Sequence, residues 1–296
     1  MLSARTRAKL TPYLFLAVPL VIYLVWVIGP MLYTFFLSLT NWDGLSAPEI
    51  IGTRNYVRLF KDPVFEKSLI NNLKWVISFI TIPVVAGLAL AMALNRAIPG
   101  SKFFKAAFYS PLVLSLVVSG LIWSWMYQPA HGLINEVLRV ICLDALTQGW
   151  LSDPDLVMWS IIAVGIWRQV GYVMILYLAG LQTIPQEVLE AATVDGAGYW
   201  RRMRHIIWPM LHPITLIVVI LNLSGALQGF ELPLLMTDGG PAEHTNVVGL
   251  LVFNTAFGGW GPPDLGLASA YGWSLFVLIG NCGEIVWVRG IGGDQS

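Results

Sequence analysis

Six stretches of this chain are apolar for long enough to cross a lipid bilayer, and no other feature limits the fold as much. They lie near Tyr13–Leu37, Leu69–Leu94, Phe104–Met126, Leu156–Ala179, Pro213–Leu235 and Leu267–Val288. A helical span needs about 20 mostly apolar residues. Hydrocarbon offers no water to the backbone N–H and C=O groups, so such a run must satisfy them within itself, as a helix. The expectation is an all-α membrane protein with six transmembrane helices in a single domain over residues 1–296. Charged residues make up only 11% of the chain and hydrophobic residues 56%. Soluble domains carry roughly a quarter charged residues, so a water-soluble core is excluded.

The first run follows Arg5, Arg7 and Lys9, as a secretory signal would. Its apolar part outlasts the roughly 7–15-residue core of a signal peptide, and no small-x-small cleavage site follows. It therefore reads as a retained first helix. Orientation follows from basic residues, which concentrate in cytoplasmic loops. With the N-terminus inside, the inner segments hold Arg5, Arg7, Lys9, Arg96, Lys102, Lys105, Arg201, Arg202, Arg204 and Arg289. The outer segments after helices three and five hold only Arg139, against Glu136, Asp144, Asp153, Asp155, Asp238, Glu243 and Asp264. The loop after helix one dissents with Arg54, Arg58, Lys61 and Lys67, but acids are interleaved there and it is long. Both termini are expected in the cytoplasm.

Little else invites chemistry. The net charge is +0, which gives no reason to expect nucleic acid, and no Walker-type phosphate loop occurs. His131, His205, His212 and His244 sit in separate segments, and no His/Cys/carboxylate group has metal-ligand spacing. Cys142 and Cys282 fall on opposite sides of the expected membrane, which excludes a disulfide between them. No catalytic residue, cofactor or metal is expected, and the chain does not read as an enzyme.

One hydrophilic segment, residues 183–209 between the fourth and fifth runs, has a pattern of its own. Thr183 and Gln186 have the spacing of a capping box, with Pro185 in the first turn. A short helix then carries Glu190, Ala191 and Ala192, and Asp195-Gly196 ends it, Gly196 supplying a left-handed cap. A second short helix is expected from Tyr199 to Ile207, stopped by Pro209. The small alanines would let another protein's backbone come close.

The spacing of Glu190, Ala191, Ala192, Gly196, Ile206 and Pro209, E-A-A-x3-G-x9-I-x-x-P, resembles the cytoplasmic coupling loop of binding-protein-dependent ABC importer permeases. Other stretches resemble their carbohydrate branch, the maltose, multiple-sugar and glycerol-3-phosphate permeases. These are Ser38–Trp42, Gly52–Tyr56, Asn71-Asn72, Pro129 with Gly132–Asn135, Thr237–Pro241 and Asp264–Ala270. Trp208 stands where the family usually has Leu. The resemblance implies a type I importer transmembrane domain in a prokaryotic plasma membrane, the inner one where there are two. It implies a second permease, usually a different chain, two ATP-binding subunits that hydrolyse the ATP, and an extracytoplasmic solute-binding protein. Membrane lipid would surround the spans. The solute would be a sugar or sugar-like molecule, with glycerol 3-phosphate or a polyol or compatible solute as the runner-up. The competitor from another class is a self-contained secondary transporter or channel, which should show internal repeats and broken mid-membrane helices.

Two helix faces bear on a solute path. Gly165, Arg168, Gln169 and Tyr172 fall at i, i+3, i+4 and i+7 of the fourth span. A charge mid-span costs at least ~2.5 kcal/mol on insertion scales, so Arg168 either lines the path or anchors a neighbour. On the fifth span Asn222, Ala226 and Gly229 share a face, either as solute contacts or as close helix packing. Gln169, Tyr172, Asn222, Ala226 and Gly229 match positions that contribute the sugar site in the maltose-type relatives. Glu231 is expected at the cavity mouth. Trp42, Trp150 and Trp260 read as interfacial belt residues, and Trp123 and Trp125 are ambiguous.

Overall fold

The computed structural model describes residues 4–96, 99–259 and 261–292. Trp260 and the side chains of Arg5, Arg7, Lys9, Cys282 and Arg289 lie outside the described residues. Helix α1 (Ala4–Tyr23), a π-turn (Leu24–Ile28) and α2 (Gly29–Ser38) come first, followed by α3 (Arg54–Lys61) and α4 (Pro63–Leu94). Then follow α5 (Ser101–Val113), α6 (Leu116–Met126), α7 (Leu133–Val140) and α8 (Val157–Gln182). The segment after α8 holds α9 (Gln186–Val194), α10 (Tyr199–Arg202), a second π-turn (Met203–Ile207) and α11 (Trp208–Met210). The chain closes with α12 (His212–Gln228), α13 (Glu231–Thr237), α14 (Val248–Phe257) and α15 (Leu265–Gly292).

Phe15–Ser38, Pro63–Leu94 and Val157–Gln182 are each long and apolar enough to cross a membrane. The expected third span is not straight, and the fifth is sharply bent away from the helix that precedes it. α5 and α6 meet at 100°, and the helix Tyr199–Met210 meets α12 at 65°; each pair passes as a span only when taken together. The chemistry of the first break is local. Pro111 withholds an N–H from the last turn of α5, and the Ser110 hydroxyl donates to the freed Ala107 carbonyl at 2.9 Å. Leu114 then turns extended, and Ser115 caps α6 by accepting from the Val118 N–H at 3.2 Å. The fifth run also stops short of Leu235, because Gly229 leaves the helix with ψ near 119° before α13 starts. The expected sixth span lies within α15.

Contacts divide the chain into two units, residues 1–62 with 252–274 and residues 63–251 with 275–296. In the first unit, three stretches distant in sequence meet. Buried Asn55 donates to the carbonyls of Ser38 at 3.0 Å and Thr40 at 2.7 Å. Gly266 brings its N–H 3.0 Å from the Trp42 carbonyl, and a Cβ there would run into the Thr40 carbonyl. Arg58 pairs with Asp264 at 2.9 Å, and Tyr271 donates to Asp62. Asn55→Ala is expected to leave two buried carbonyls without donors, at about 1–3 kcal/mol. The readout is a lowered melting temperature of the purified complex, and unchanged melting would show that this clamp contributes nothing.

The second unit is built on α4 against α8. Gly165 and Gly87 let the two approach closely: a Cβ on Gly165 would come 2.7 Å from the Phe79 ring and one on Gly87 2.6 Å from Val173. In lipid such small residues substitute for a hydrophobic driving force between helices. Tyr177 donates to Thr215 at 3.1 Å and ties α8 to α12, while the Tyr127 hydroxyl after α6 donates to the Ser160 carbonyl at 3.0 Å. At the start of α4, Asn71 donates to the carbonyls of His244 and Asn246, both at 2.9 Å, and Asn72 accepts from the Val248 N–H at 2.8 Å. Trp150, expected as a belt residue, is half-buried. Its indole N–H donates to Asn135 at 2.8 Å and it packs on the buried core.

Candidate functional site

The first candidate site is the loop 183–209. No capping box forms there, because Thr183 is the C-cap of α8 and its hydroxyl donates back to the Gly180 carbonyl at 2.8 Å. The extended Pro185 is the N-cap of α9, with no side-chain bond to the helix N-terminus. The left-handed end does form. Gly196 has φ of 75°, its N–H donates to the Thr193 carbonyl at 3.1 Å, and the Ala197 N–H donates to the Ala192 carbonyl at 2.9 Å. Those two bonds make a Schellman motif, which closes α9 at Asp195 and turns the chain sharply. Arg202 fixes the second limb by donating to the Thr193 hydroxyl at 2.7 Å.

Glu190, Ala191, Asp195 and Gly196 are exposed, whereas Ala192 is buried and Ile206 half-buried. The two alanines therefore do not share an open face: at 100° apart, Ala191 is available to a partner and Ala192 packs inward. Pro209 is exposed and does not stop the second helix, which runs on to Met210 and breaks at Leu211. A π-turn at Met203–Ile207 absorbs the helical mismatch ahead of the proline.

The second candidate site is a cavity of about 230 Å³ in the second unit, onto which the α5–α6 and α12–α13 breaks open. Leu112 and Leu116 flank the α5–α6 break; Gly229, Glu231 and Leu232 flank the α12–α13 break. Irregular backbone at membrane depth is tolerated where it is buried in protein or lines a cavity. Arg168, Gln169 and Asn222 line the same space. Tyr172 and Ala226 do not: Tyr172 is half-buried elsewhere on α8, and Ala226 is fully buried in the core. Gly229 does line it, as the residue that ends α12 rather than as part of a continuous helical face.

Arg168 holds the first break together. Its Nη1 donates to the Leu114 carbonyl at 2.9 Å, to the Ser115 carbonyl at 3.3 Å and to the Ser119 hydroxyl. Gln169 Nε2 donates to Asn222 Oδ1 at 2.5 Å, and the buried Nδ2 of Asn222 has no protein acceptor among the described residues. Glu231 Oε2 accepts from the Phe230 N–H at 3.1 Å. The cavity thus combines amide donors, one engaged guanidinium and a carboxylate with the apolar walls of Trp75 and Phe79. Residue spacing alone did not reveal Gly225, Trp75 or Phe79 as lining groups, because the breaks that expose them depend on tertiary packing. Trp123, ambiguous in sequence, stacks edge-on against Trp167 with centroids 5.4 Å apart, while Trp125 is exposed.

Outside the spans, Asp43 accepts from the Ser46 and Leu45 N–H groups and from the Ser46 hydroxyl. The Ser46 backbone bond is the largest cause holding its carboxyl down at about 2.

Comparison with known proteins places these features in context. Residues 101–281 match the family described as binding-protein-dependent transport system inner membrane component. The probable ABC transporter permease protein YurN of Bacillus subtilis (strain 168) is 39% identical over 252 residues, covering 84% of this chain and 86% of its own length. The trehalose/maltose transport system permease protein MalF of Thermococcus litoralis is 31% identical over 269 residues, 90% of this chain and 89% of its own. Among solved structures, a chain of the bacterial alginate ABC transporter in complex with alginate pentasaccharide-bound periplasmic protein superposes with a TM-score of 0.82. It is 20% identical and covers 98% of this chain and 96% of that one, a likeness of fold.

Proposed function

The chain belongs to the family of binding-protein-dependent transport system inner membrane components, and from that premise we propose how it acts as the permease subunit of an ABC importer for sugars or oligosaccharides. It crosses the membrane six times with both ends in the cytoplasm. A second permease of different sequence completes the path. Two ATP-binding subunits drive it, and an extracytoplasmic binding protein delivers the solute. This chain hydrolyses nothing itself.

The observation that carries the coupling role is α9. It is a short, largely exposed helix that bears Glu190 and Ala191 and is closed by the left-handed Gly196. Such an element suits docking into a groove of an ATP-binding subunit, with Ile206 and Pro209 on the limb that carries the movement back to α12. The solute passes the cavity at the two helix breaks, where Gln169, Asn222 and Gly229 contact it. The orphaned Asn222 Nδ2 supports this role, since a buried donor needs an acceptor and a sugar hydroxyl provides one. Tyr172 and Ala226 support the site from behind.

An anionic solute such as glycerol 3-phosphate is the weaker reading. The guanidinium that motivated it is already engaged by the carbonyls of Leu114 and Ser115, and Glu231 adds a negative charge to the same cavity. A neutral, hydroxylated solute fits those groups better. Broken helices would also suit a secondary transporter, so they do not separate the two classes; the family match does.

Topology provides the test. In a background lacking Cys142 and Cys282, Ser46→Cys should react with an impermeant thiol reagent in intact cells. Gln186→Cys should react only after lysis. Both positions are exposed. The reverse pattern would put α9 outside, beyond the reach of any ATP-binding subunit, and would overturn the coupling role.

A further inference from the structure

One face of α4 is apolar along its C-terminal half and looks toward the second limb of the 183–209 loop. Val85, Leu88, Ala89 and Met92 fall at i, i+3, i+4 and i+7, and with Trp200 and Trp208 they line a groove of about 550 Å³. Val85 is 69% exposed and Trp200 79% exposed, so within the second unit the groove is open. At its end stands Arg96, its guanidinium carbon 5.4 Å from the centre of the Tyr199 ring. No carboxylate lines the groove, and among the described residues Arg96 takes part in no ion pair.

We propose that this groove binds an anionic phospholipid, with one acyl chain against α4 and the phosphate on Arg96. The inference rests on the membrane reading of the chain and on no assignment of the solute. Length supports it: from Val84 to Ala93 the helix rises about 14 Å at 1.5 Å per residue. That is close to half of the ~30 Å hydrocarbon core, the depth of one leaflet. The order of groups supports it as well. An apolar stripe gives way to Trp, Tyr and then a cation that makes no ion pair among the described residues, the sequence of environments met from the acyl region to the headgroups. An apolar protein segment on this face would leave the guanidinium with the Tyr199 ring alone, whereas a phosphate adds a bidentate, charge-assisted contact. Bound there, the lipid would touch both α4 and the limb that follows the Gly196 turn.

The test measures lipid, not transport, so it stands apart from the outcome of any uptake assay. The assembled complex is reconstituted into vesicles of equal phosphatidylglycerol and phosphatidylcholine and extracted in mild detergent, and the phospholipid retained per complex is counted. Phosphatidylglycerol should be retained in preference. Arg96→Gln should lower that retention roughly fivefold, the weight of one basic residue at a membrane surface. Lys102→Gln, the same charge change at another exposed position, should leave it unchanged. Ala89→Trp fills the groove and should lower retention with Arg96 intact. Equal losses in the Arg96 and Lys102 variants would mean diffuse surface attraction, and full retention in Ala89→Trp would mean that the groove is not the site. Efficient zero-length crosslinking of Ala89→Cys to the second permease would show a protein occupant. Any of these three overturns the proposal.

Discussion

Gly196→Pro is expected to bring solute uptake down to background while the chain still inserts and assembles. The residue sits at φ of 75° and its N–H donates to the Thr193 carbonyl. Proline fixes φ near −65° and has no N–H, so the Schellman turn cannot form and α9 loses its end. Apart from its chain neighbours, no atom of the described residues lies within 4 Å of where a Cβ would stand, so dihedral angle rather than space is the constraint. That distinction gives the control: Gly196→Asn tolerates the left-handed region and should retain most of the uptake. Glu190→Lys reverses a charge on an exposed helix with no change of fold, and should abolish uptake and release the ATP-binding subunit from the purified complex. Membrane level, co-purification and uptake are measured together. Normal uptake in Gly196→Pro or Glu190→Lys would remove the coupling role from this loop.

Arg168→Ala is expected to lower the thermal stability and the yield of assembled complex before it affects solute affinity. The guanidinium donates to two carbonyls at the α5–α6 break and to Ser119. Hydrogen bonds from a charged donor are worth about 1.5–3 kcal/mol. Arg168→Lys should recover only part of the stability, because the lysine stem is one bond shorter and does not bring its ammonium to where Nη1 meets the three acceptors. Ser119→Ala removes one acceptor and should cost about 1 kcal/mol. Gln169→Leu is expected to behave in the opposite way, with melting near normal and uptake reduced tenfold or more, since it strips Asn222 of its partner beside the cavity. An Arg168→Ala complex that melts normally yet imports nothing would move Arg168 from anchor to solute recognition.

Much of this protein was legible before any coordinates. Runs of apolar residues long enough to span a bilayer can only be helices, because the backbone has no other partner there. The left-handed turn at Gly196 was legible for an equally local reason: a helix end followed by glycine has few other ways to close. Pairwise and broken geometry was not legible. The capping box at Thr183 failed because the preceding helix α8 runs three residues further than the apolar run and takes that hydroxyl for its own last turn. Pro209 did not end its helix, because a π-turn before it absorbs the mismatch. Hydropathy, which averages over a window, passed straight through the Leu114–Ser115 and Gly229 breaks. The first break persists because a side chain far away in sequence, Arg168, donates to the carbonyls of Leu114 and Ser115, while at the second the neighbouring Glu231 accepts from the Phe230 N–H. So the residues alone determined a multi-helix membrane protein with one specialised hydrophilic loop, since burial in lipid and local turn chemistry act on neighbours in the chain. Which polar groups share the cavity, and which backbone groups Arg168 meets, was decided only when α5, α6, α8 and α12 packed together, because hydrogen bonds between distant segments have no signature in any one of them.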